Sequence, residues 1–412
     1  MSDEQDAVSL NLKIGEHEQA AELVPRSSLD LQKKRVAIVH YWFVNRRGGE
    51  RVVETMADMF PNADLFAVVA DHEQLSAVLR RRSLKTSFVQ RIPGSRRWHR
   101  HMLPLYPFAL EQFDLRGYDL VLSSESGPAK GVLTGAGTCH ICYCHSPMRY
   151  LWDFYHAYRG GKSLGTVSRP IFTVVAHYLR LWDAASAARV DHFVANSQNV
   201  AARIRKHYRR ESTVIHPPVK VHAGYLAGRI EDYYMVAGQL VDYKRFDLAI
   251  EACNRLGRRL HIVGEGEQWK TLRKNAGPTI KFCGALSDEE LREQYAHCRA
   301  LLFAGEEDFG IIPVEALSFG RPVIALGRGG VMETVKGFYT DAPAPVETSC
   351  GVFFREQSTD SLVDAIHAFE AAESRFSPFF IRQQAERFDE IHFKEKFGQF
   401  VSEKLEYSAL SL

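Results

Sequence analysis

No run of about 18 apolar residues occurs in the 412-residue sequence, so a bilayer-spanning helix is not expected. The first 33 residues lack the basic start and apolar stretch of a secretory leader, and are expected to form a flexible extension. An excess of charge is missing too: 52 Lys and Arg against 50 Asp and Glu leave a net charge of +2. That excludes a general affinity for polyanions, and no nucleic-acid reader module is visible, so no nucleic-acid partner is expected. Seven cysteines in so long a chain make no disulfide framework and suit a reducing cytoplasm. Nor is there an Asp-x-Asp pair to hold a divalent ion beside a phosphate, and no metal or cofactor is expected.

What is present is enough apolar material for more than one core: 45% of the residues are hydrophobic, which at this length predicts two domains. Strand-like and helix-like stretches alternate through both halves. YDLVLSS then AKGVLTG belong to the first half, and RLHIVGEG, TIKFCGA, ALLFAG and PVIALG to the second, the mark of parallel α/β sheets. Pro217 and Pro218 interrupt regular structure between the halves, and the second begins near Asp232.

The most informative stretch is EEDFGIIPVEALSFGRPVIALGRGGVMETV, residues 306 to 335. A strand over Ala300 to Phe303 is expected to lead through a short loop into a helix starting near Ile312, with Pro313 suited to the first helical position. Gly310 lets the backbone approach a ligand closely. The free N–H groups of Gly310, Ile311 and Ile312 would then point at an anion such as a diphosphate. Glu307 on the loop and Glu315 in the first turn would face one crevice at the carboxyl end of the sheet, as acceptors for sugar hydroxyls. Taken alone, Glu315 also fits a helix-dipole partner and Glu307 a solvated side chain.

Three further stretches bear on that crevice. VAGQLVDYKRFDLAIEACNRL, residues 236 to 256, reads as a strand, a turn and an amphipathic helix with Leu248, Ala249, Ala252 and Leu256 on its apolar face. Lys244 at the turn would neutralise charge developing on a leaving diphosphate. KKRVAIVHYWFVNRRGGERVVETMADMF gives a strand from Val36 to Tyr41, a basic loop whose Gly48 and Gly49 would let amides approach a phosphate or acceptor, and a helix from near Glu50. TCHICYCHSPMRYLWD holds Cys139, Cys142, Cys144 and His145, which invites a zinc reading. No second ligand pair follows at suitable spacing, and ICYC fits a buried parallel strand better, leaving His145 at the ligand-binding rim.

Together these motifs resemble the signature of family 4 of the retaining glycosyltransferases, over roughly residues 35 to 405. The resemblance implies the GT-B fold, two Rossmann-like doubly wound α/β domains facing a central cleft with a C-terminal helix crossing back. Residues 34–219 would be the acceptor domain, 232–380 the nucleotide-sugar domain, and 381–412 the helices returning to the first. It also implies that Glu307 contacts the donor sugar, Glu315 the nucleotide ribose and His145 the transferred sugar, and that Gly329, Gly330 and Glu333 match the next family turn. Gln239 stands where the family usually has Arg, five residues before Lys244. Phosphate charge would then rest on Lys244, with help from Arg245.

Within the family, HYWFVNRRGGERVVE, ICYCHSPMRYLWD, YLRLWDAASAARVDHFVANS and DYYMVAGQLVDYKRFDLAIEA most resemble bacterial mannosyltransferases of polysaccharide assembly. That implies GDP-mannose as donor and a glycan or polyprenyl-diphosphate-linked acceptor, although nothing in the spacing separates this donor from GDP-rhamnose or UDP-glucose. Two rivals stay open: a binder that has lost catalysis, motivated by Gln239, and a GT-B-fold epimerase. Basic and large apolar residues interleave over residues 80 to 113. Arg91, Arg96, Arg97 and Arg100 beside Trp98, Leu103, Leu105, Tyr106 and Phe108 fit an anionic membrane surface at residues 91–108, or equally a solvated loop before a packed helix. The location expected is cytoplasmic, at the inner face of the plasma membrane if this stretch binds lipid. Asn196 and Ser197 are candidates for a domain hinge or an acceptor contact.

Overall fold

The structure is a computed structural model that describes residues 33–45, 48–160, 165, 168–342 and 345–410. Apart from Lys33, the extension expected over residues 1–33 lies outside the described residues, as do Arg46 and Arg47 of the basic loop. Two seven-stranded parallel sheets organise the rest. From edge to edge the first runs Leu84–Thr86, Asp64–Ala70, Val36–Phe43, Leu120–Glu125, Cys139–Cys144, His192–Ala195, Ser212–Val214. The second runs Ile280–Gly284, Leu260–Val263, Tyr234–Ala237, Leu301–Phe303, Val323–Leu326, Gly351–Phe354, Gly337–Tyr339. In each sheet the strand order reverses beside its first strand, which opens a crevice at the carboxyl ends of that strand and its neighbour.

The central strands read as unbroken apolar runs because both of their faces are covered. Ala37, Val39, Phe66 and Val121 pack on one side of the first sheet, and Val36, Ile38, Leu65 and Leu120 on the other. The same two-residue period disposes of the zinc reading. Cys139 joins the core on one face, whereas Cys142 and Cys144 join the core on the opposite face. Among the described residues no group of His, Cys, Asp and Glu is placed to hold a metal ion.

Several boundaries differ from expectation. Gly48 and Gly49 form the first turn of the helix Gly48–Met59 rather than a loop before it. AKGVLTG holds only a short turn over Ala129–Gly131, because Lys130 is drawn into a buried ion pair with Glu125 and Asp183. Pro313 is the third residue of the helix Ile311–Ser318, which Gly310 starts with φ of 89°.

The return to the first domain also begins later than residue 381. Helix Pro378–Glu386 stays on the second domain, where Ile381, Ala385 and Phe388 enter the large core. Only helix Glu390–Leu410 crosses, placing Phe393, Phe397, Phe400 and Val401 in the core beneath the first sheet. The two chain crossings are tied together: Val219 N donates to Phe388 O at 3.1 Å and Glu390 N to Val219 O at 3.1 Å. Truncating the fully buried Phe397 to Ala is expected to lower unfolding free energy by about 3–5 kcal/mol in urea titration, because it opens a cavity under the first sheet. A loss below about 1 kcal/mol would contradict this placement of the helix.

Candidate active cleft

The crevice of the second sheet is built by glycines. Gly238 ends strand Tyr234–Ala237 with φ of 124°, and a Cβ there would lie 2.8 Å from Lys244 Nζ. A Cβ on Gly305, after strand Leu301–Phe303, would lie 2.7 Å from Lys244 Cα. The bare backbones leave room for the Lys244 turn to fold over the loop, bringing Nζ to 2.6 Å from Glu307 Oε1. The pair has ion-pair distance without hydrogen-bond direction, since that buried oxygen accepts no hydrogen bond. Gly329 and Gly330 press on the same loop: Gly330 N donates to Glu307 O at 2.9 Å, and a Cβ on Gly330 would sit 2.3 Å from Phe309 Cα.

Glu315, one turn into the helix, is not a simple dipole partner. Its Oε1 accepts from Arg51 Nη1 at 2.5 Å and its Oε2 from Tyr295 OH at 3.0 Å. Arg51 belongs to the first domain, so this pair spans the cleft, and Glu315 raises the basicity of the guanidinium. Gly48 abuts the same helix end, where a Cβ would be 2.8 Å from Ile311 Cδ1. Gly49 leaves the space before His145, whose Nε2 would be 3.6 Å from a Cβ there.

His145 follows strand Cys139–Cys144 and shares a 2.9 Å hydrogen bond with Ser124 Oγ. Burial, with His40 nearby, pushes its pKa down to about 3, so the imidazole is neutral. It is therefore equipped to hydrogen-bond a hydroxyl rather than to deliver a proton at neutral pH.

The structure thus brings Gly48, Gly49, His145, Lys244, Glu307, Gly310, Ile311, Ile312 and Glu315 to one cleft, with Gln239 directly after Gly238. Arg245 is turned elsewhere. With φ of 53°, it gives Nε and Nη2 to Asp247 and Nη1 to Gln357 Oε1 at 3.3 Å, so its guanidinium is already engaged.

Sequence reading missed Arg149 and Arg203, which hold the loop from the opposite domain together with Ser197, a residue it had named as a hinge or acceptor candidate. Arg203 Nη1 donates to Asp308 Oδ1, Arg149 lies 3.5 Å from Asp308 Oδ2, and Ser197 Oγ donates to Asp308 O at 2.6 Å. Burial raises the Asp308 pKa, opposed by the two arginines. Asn196 Nδ2 donates to His145 O at 3.1 Å, so the Asn-Ser pair sits at the domain junction. Glu333 accepts from Gln198 N at 2.8 Å and Asn199 N at 3.0 Å, capping a first-domain helix from the second domain. Burial works to raise its pKa, but His216 and these two N–H groups outweigh it and hold the carboxyl below its usual range. Only spacing toward a partner distant in sequence would have exposed these pairs.

Residues 46–222 match the family described as Glycosyltransferase Family 4, and residues 229–387 that described as Glycosyl transferases group 1. The alpha-1,3/1,6-mannosyltransferase alg2 of Schizosaccharomyces pombe is 24% identical over 268 residues, 53% of this chain and 50% of that protein. Human ALG2, of the same description, is 29% identical over 175 residues, 35% of this chain and 42% of that protein. The chain thus spans half or less of the length of these curated relatives. The solved structure of Anabaena Alr3699/HepE in complex with UDP shares the fold, with a TM-score of 0.65 at 14% identity, covering 90% of this chain and 100% of that one.

Burial also makes stability depend on pH. His145 falls to about 3 and His140 to about 4 in the folded chain, against an ordinary 6.5. As pH falls below 6.5 the unfolded chain takes up protons first, so stability complete above that value is lost progressively toward 4 for His140 and 3 for His145. Thermal melts by circular dichroism are expected to show Tm dropping across this window, and less steeply in His145→Gln. A drop of the same size in that variant would contradict the part-buried neutral imidazole.

Proposed function

Because the chain belongs to the family 4 glycosyltransferases of GT-B fold, we propose that it transfers a hexose, mannose from GDP-mannose, with retention, onto a hydroxyl of a lipid-linked oligosaccharide or polysaccharide intermediate. The observation that carries this reading is the Lys244–Glu307 pair beside the Gly310-started helix, facing His145 across the cleft. The mannosyl choice is supported by the two mannosyltransferase relatives.

In this mechanism the donor diphosphate lies at the N–H groups of Ile311 and Ile312, with Lys244 beside it. Both stabilise the charge that grows on the β-phosphate as its bond to the anomeric carbon breaks. The acceptor hydroxyl attacks that carbon from the face the phosphate leaves, and its proton passes to the departing phosphate oxygen. Glu307 accepts from a sugar hydroxyl, Glu315 from the ribose hydroxyls, and neutral His145 hydrogen-bonds the transferred sugar. Ribose binding has to share or displace the Arg51 contact to Glu315, which links donor binding to the position of the first domain. Engaged by Asp247, Arg245 leaves Lys244 as the cation next to the leaving group in this account.

The protein is proposed to work in the cytoplasm at the inner face of the plasma membrane, which residues 91–108 contact. Among the described residues no helix is long and apolar enough to cross a bilayer. In that stretch Trp98, Leu105 and Phe108 are exposed while Tyr106 is buried, so the segment is part surface and part core.

The reading is tested by thermal shift of the purified protein, without metal, against GDP-mannose, GDP-rhamnose, UDP-glucose and GDP, followed by product analysis with a lipid-linked glycan extract. Selective stabilisation by GDP-mannose is expected, near 2.7 kcal/mol at about a hundred times Kd, with GDP release that requires acceptor. Selective binding without turnover would favour the inactive binder that Gln239 motivates. An altered nucleotide sugar formed without acceptor would favour an epimerase, and no nucleotide response would overturn the proposal.

A further inference from the structure

Helix Ser168–Ser186 is mounted with its carboxylate inward and large apolar side chains outward. Asp183, its one acidic residue, is fully buried, paired with Lys130 Nζ. Asp183 also accepts from Trp152 Nε1 at 2.8 Å and from Tyr208 OH at 3.1 Å. On the same inner side Ala176 and Leu179 pack with Met148 and Leu151. The rotation of the helix is therefore fixed, because turning it would strand two buried charges.

The opposite face carries Ile171, Val174, Tyr178 and Leu181, exposed by 61%, 71%, 47% and 62%. Their spacing of three, four and three residues lines them up in one stripe. Single exposed apolar residues are ordinary, but a helix apolar on both faces is normally covered on both.

A second element continues this face. Trp182 Nε1 donates to Glu111 Oε1 at 2.9 Å, and Trp182 and Leu103 pack against the same small core. These contacts tie the helix to Tyr106–Glu111 and the turn before it, where Trp98, Leu105 and Phe108 are exposed. The neighbouring residues 91–110 hold Arg91, Arg96, Arg97 and Arg100 and no acidic residue, and the next residue, Glu111, is paired with Arg189 at 2.7 Å. Among the described residues, Arg96 alone of Arg91, Arg96, Arg97 and Arg100 has a carboxylate at ion-pair distance, Asp71 at 3.6 Å.

We propose that helix Ser168–Ser186 lies in the plane of an anionic lipid bilayer, with Ile171, Val174, Tyr178 and Leu181 sunk to the base of the headgroups. The arginines of residues 91–110 then rest on the lipid phosphates. Apolar side chains give depth and the cations give attraction to anionic lipid, the pairing an interfacial helix needs. A second copy of the chain suits the face less well, since a two-fold contact would set these arginines near their own images. The inference deepens the membrane reading of residues 91–108 and rests on it for the orientation of the face.

The test is flotation of the full chain with vesicles of phosphatidylglycerol mixed with phosphatidylcholine, and of phosphatidylcholine alone, with sedimentation velocity run in parallel. Two variants are compared with the parent chain: Ile171→Ser, Val174→Ser and Leu181→Ser together, and Arg96→Gln, Arg97→Gln and Arg100→Gln together. The parent chain is expected to float with the anionic vesicles and to release at high salt. The helix variant should bind at least about tenfold more weakly with an unchanged melting temperature.

If the arginine variant loses binding while the helix variant does not, the helix inference fails and the reading of residues 91–108 survives. If the helix variant alone loses binding, the helix carries the lipid contact by itself, and the placement of the arginines on the phosphates fails together with that reading. No flotation of the parent chain overturns both, and a parent dimer that the helix variant converts to monomer overturns the lipid assignment in favour of a second copy. Turnover on a detergent-free soluble acceptor separates all these outcomes from failure of the transferase reading.

Discussion

The loop from Gly305 to Gly310 is gripped from both domains, and the cleft depends on that grip. From its own side the loop is pressed by the Gly329–Gly330 turn and by Lys244. From the other side Arg149, Arg203 and Ser197 hold Asp308. Asp308 is paired by these first-domain groups where the domains meet, so separating the domains would exchange two guanidinium contacts and a hydroxyl for water. Glu307, one residue earlier, is held by Lys244 and Gly330 of its own domain, while the next residue of its loop is held from the other domain.

The rest of the junction follows the same logic. Arg51 reaches Glu315, Glu333 caps the helix that begins at Gln198, and the two chain crossings at Val219 and Phe388 are bonded to one another. The crossings form a narrow, fixed pivot, whereas the polar contacts in the cleft are of the kind that exchange with water or ligand. Opening about such a pivot would release Arg51, Arg149 and Arg203 together. A nucleotide sugar would then enter where guanidinium groups and carboxylates now face one another, and closure would restore the grip on the loop.

Much of this was legible in the sequence because the local signals were strong. Gly310, Gly329 and Gly330 stood out in the sequence, the last two where backbone approaches the loop over residues 307–309, and the E-x7-E spacing put Glu307 and Glu315 near one rim. The alternation of apolar strands and amphipathic helices identified two parallel sheets. What could not be read was partner choice across the chain. Nothing local says that Arg51 meets Glu315 some 264 residues away, or that Arg245 folds back onto Asp247 instead of facing the cleft. The start of the crossing helix was misjudged for a related reason: Phe380 and Phe397 look alike in a periodic pattern, and only tertiary packing assigns them to different cores.

The central claim is that Lys244, held against Glu307, stabilises the departing diphosphate. Steady-state and single-turnover kinetics of Lys244→Ala test it most directly, with the donor identified by thermal shift. The account predicts a loss of roughly 10²–10³-fold in kcat, as for removal of one electrostatic stabiliser of a transition state, in a protein that still melts cooperatively. Turnover equal to that of the parent chain would contradict it.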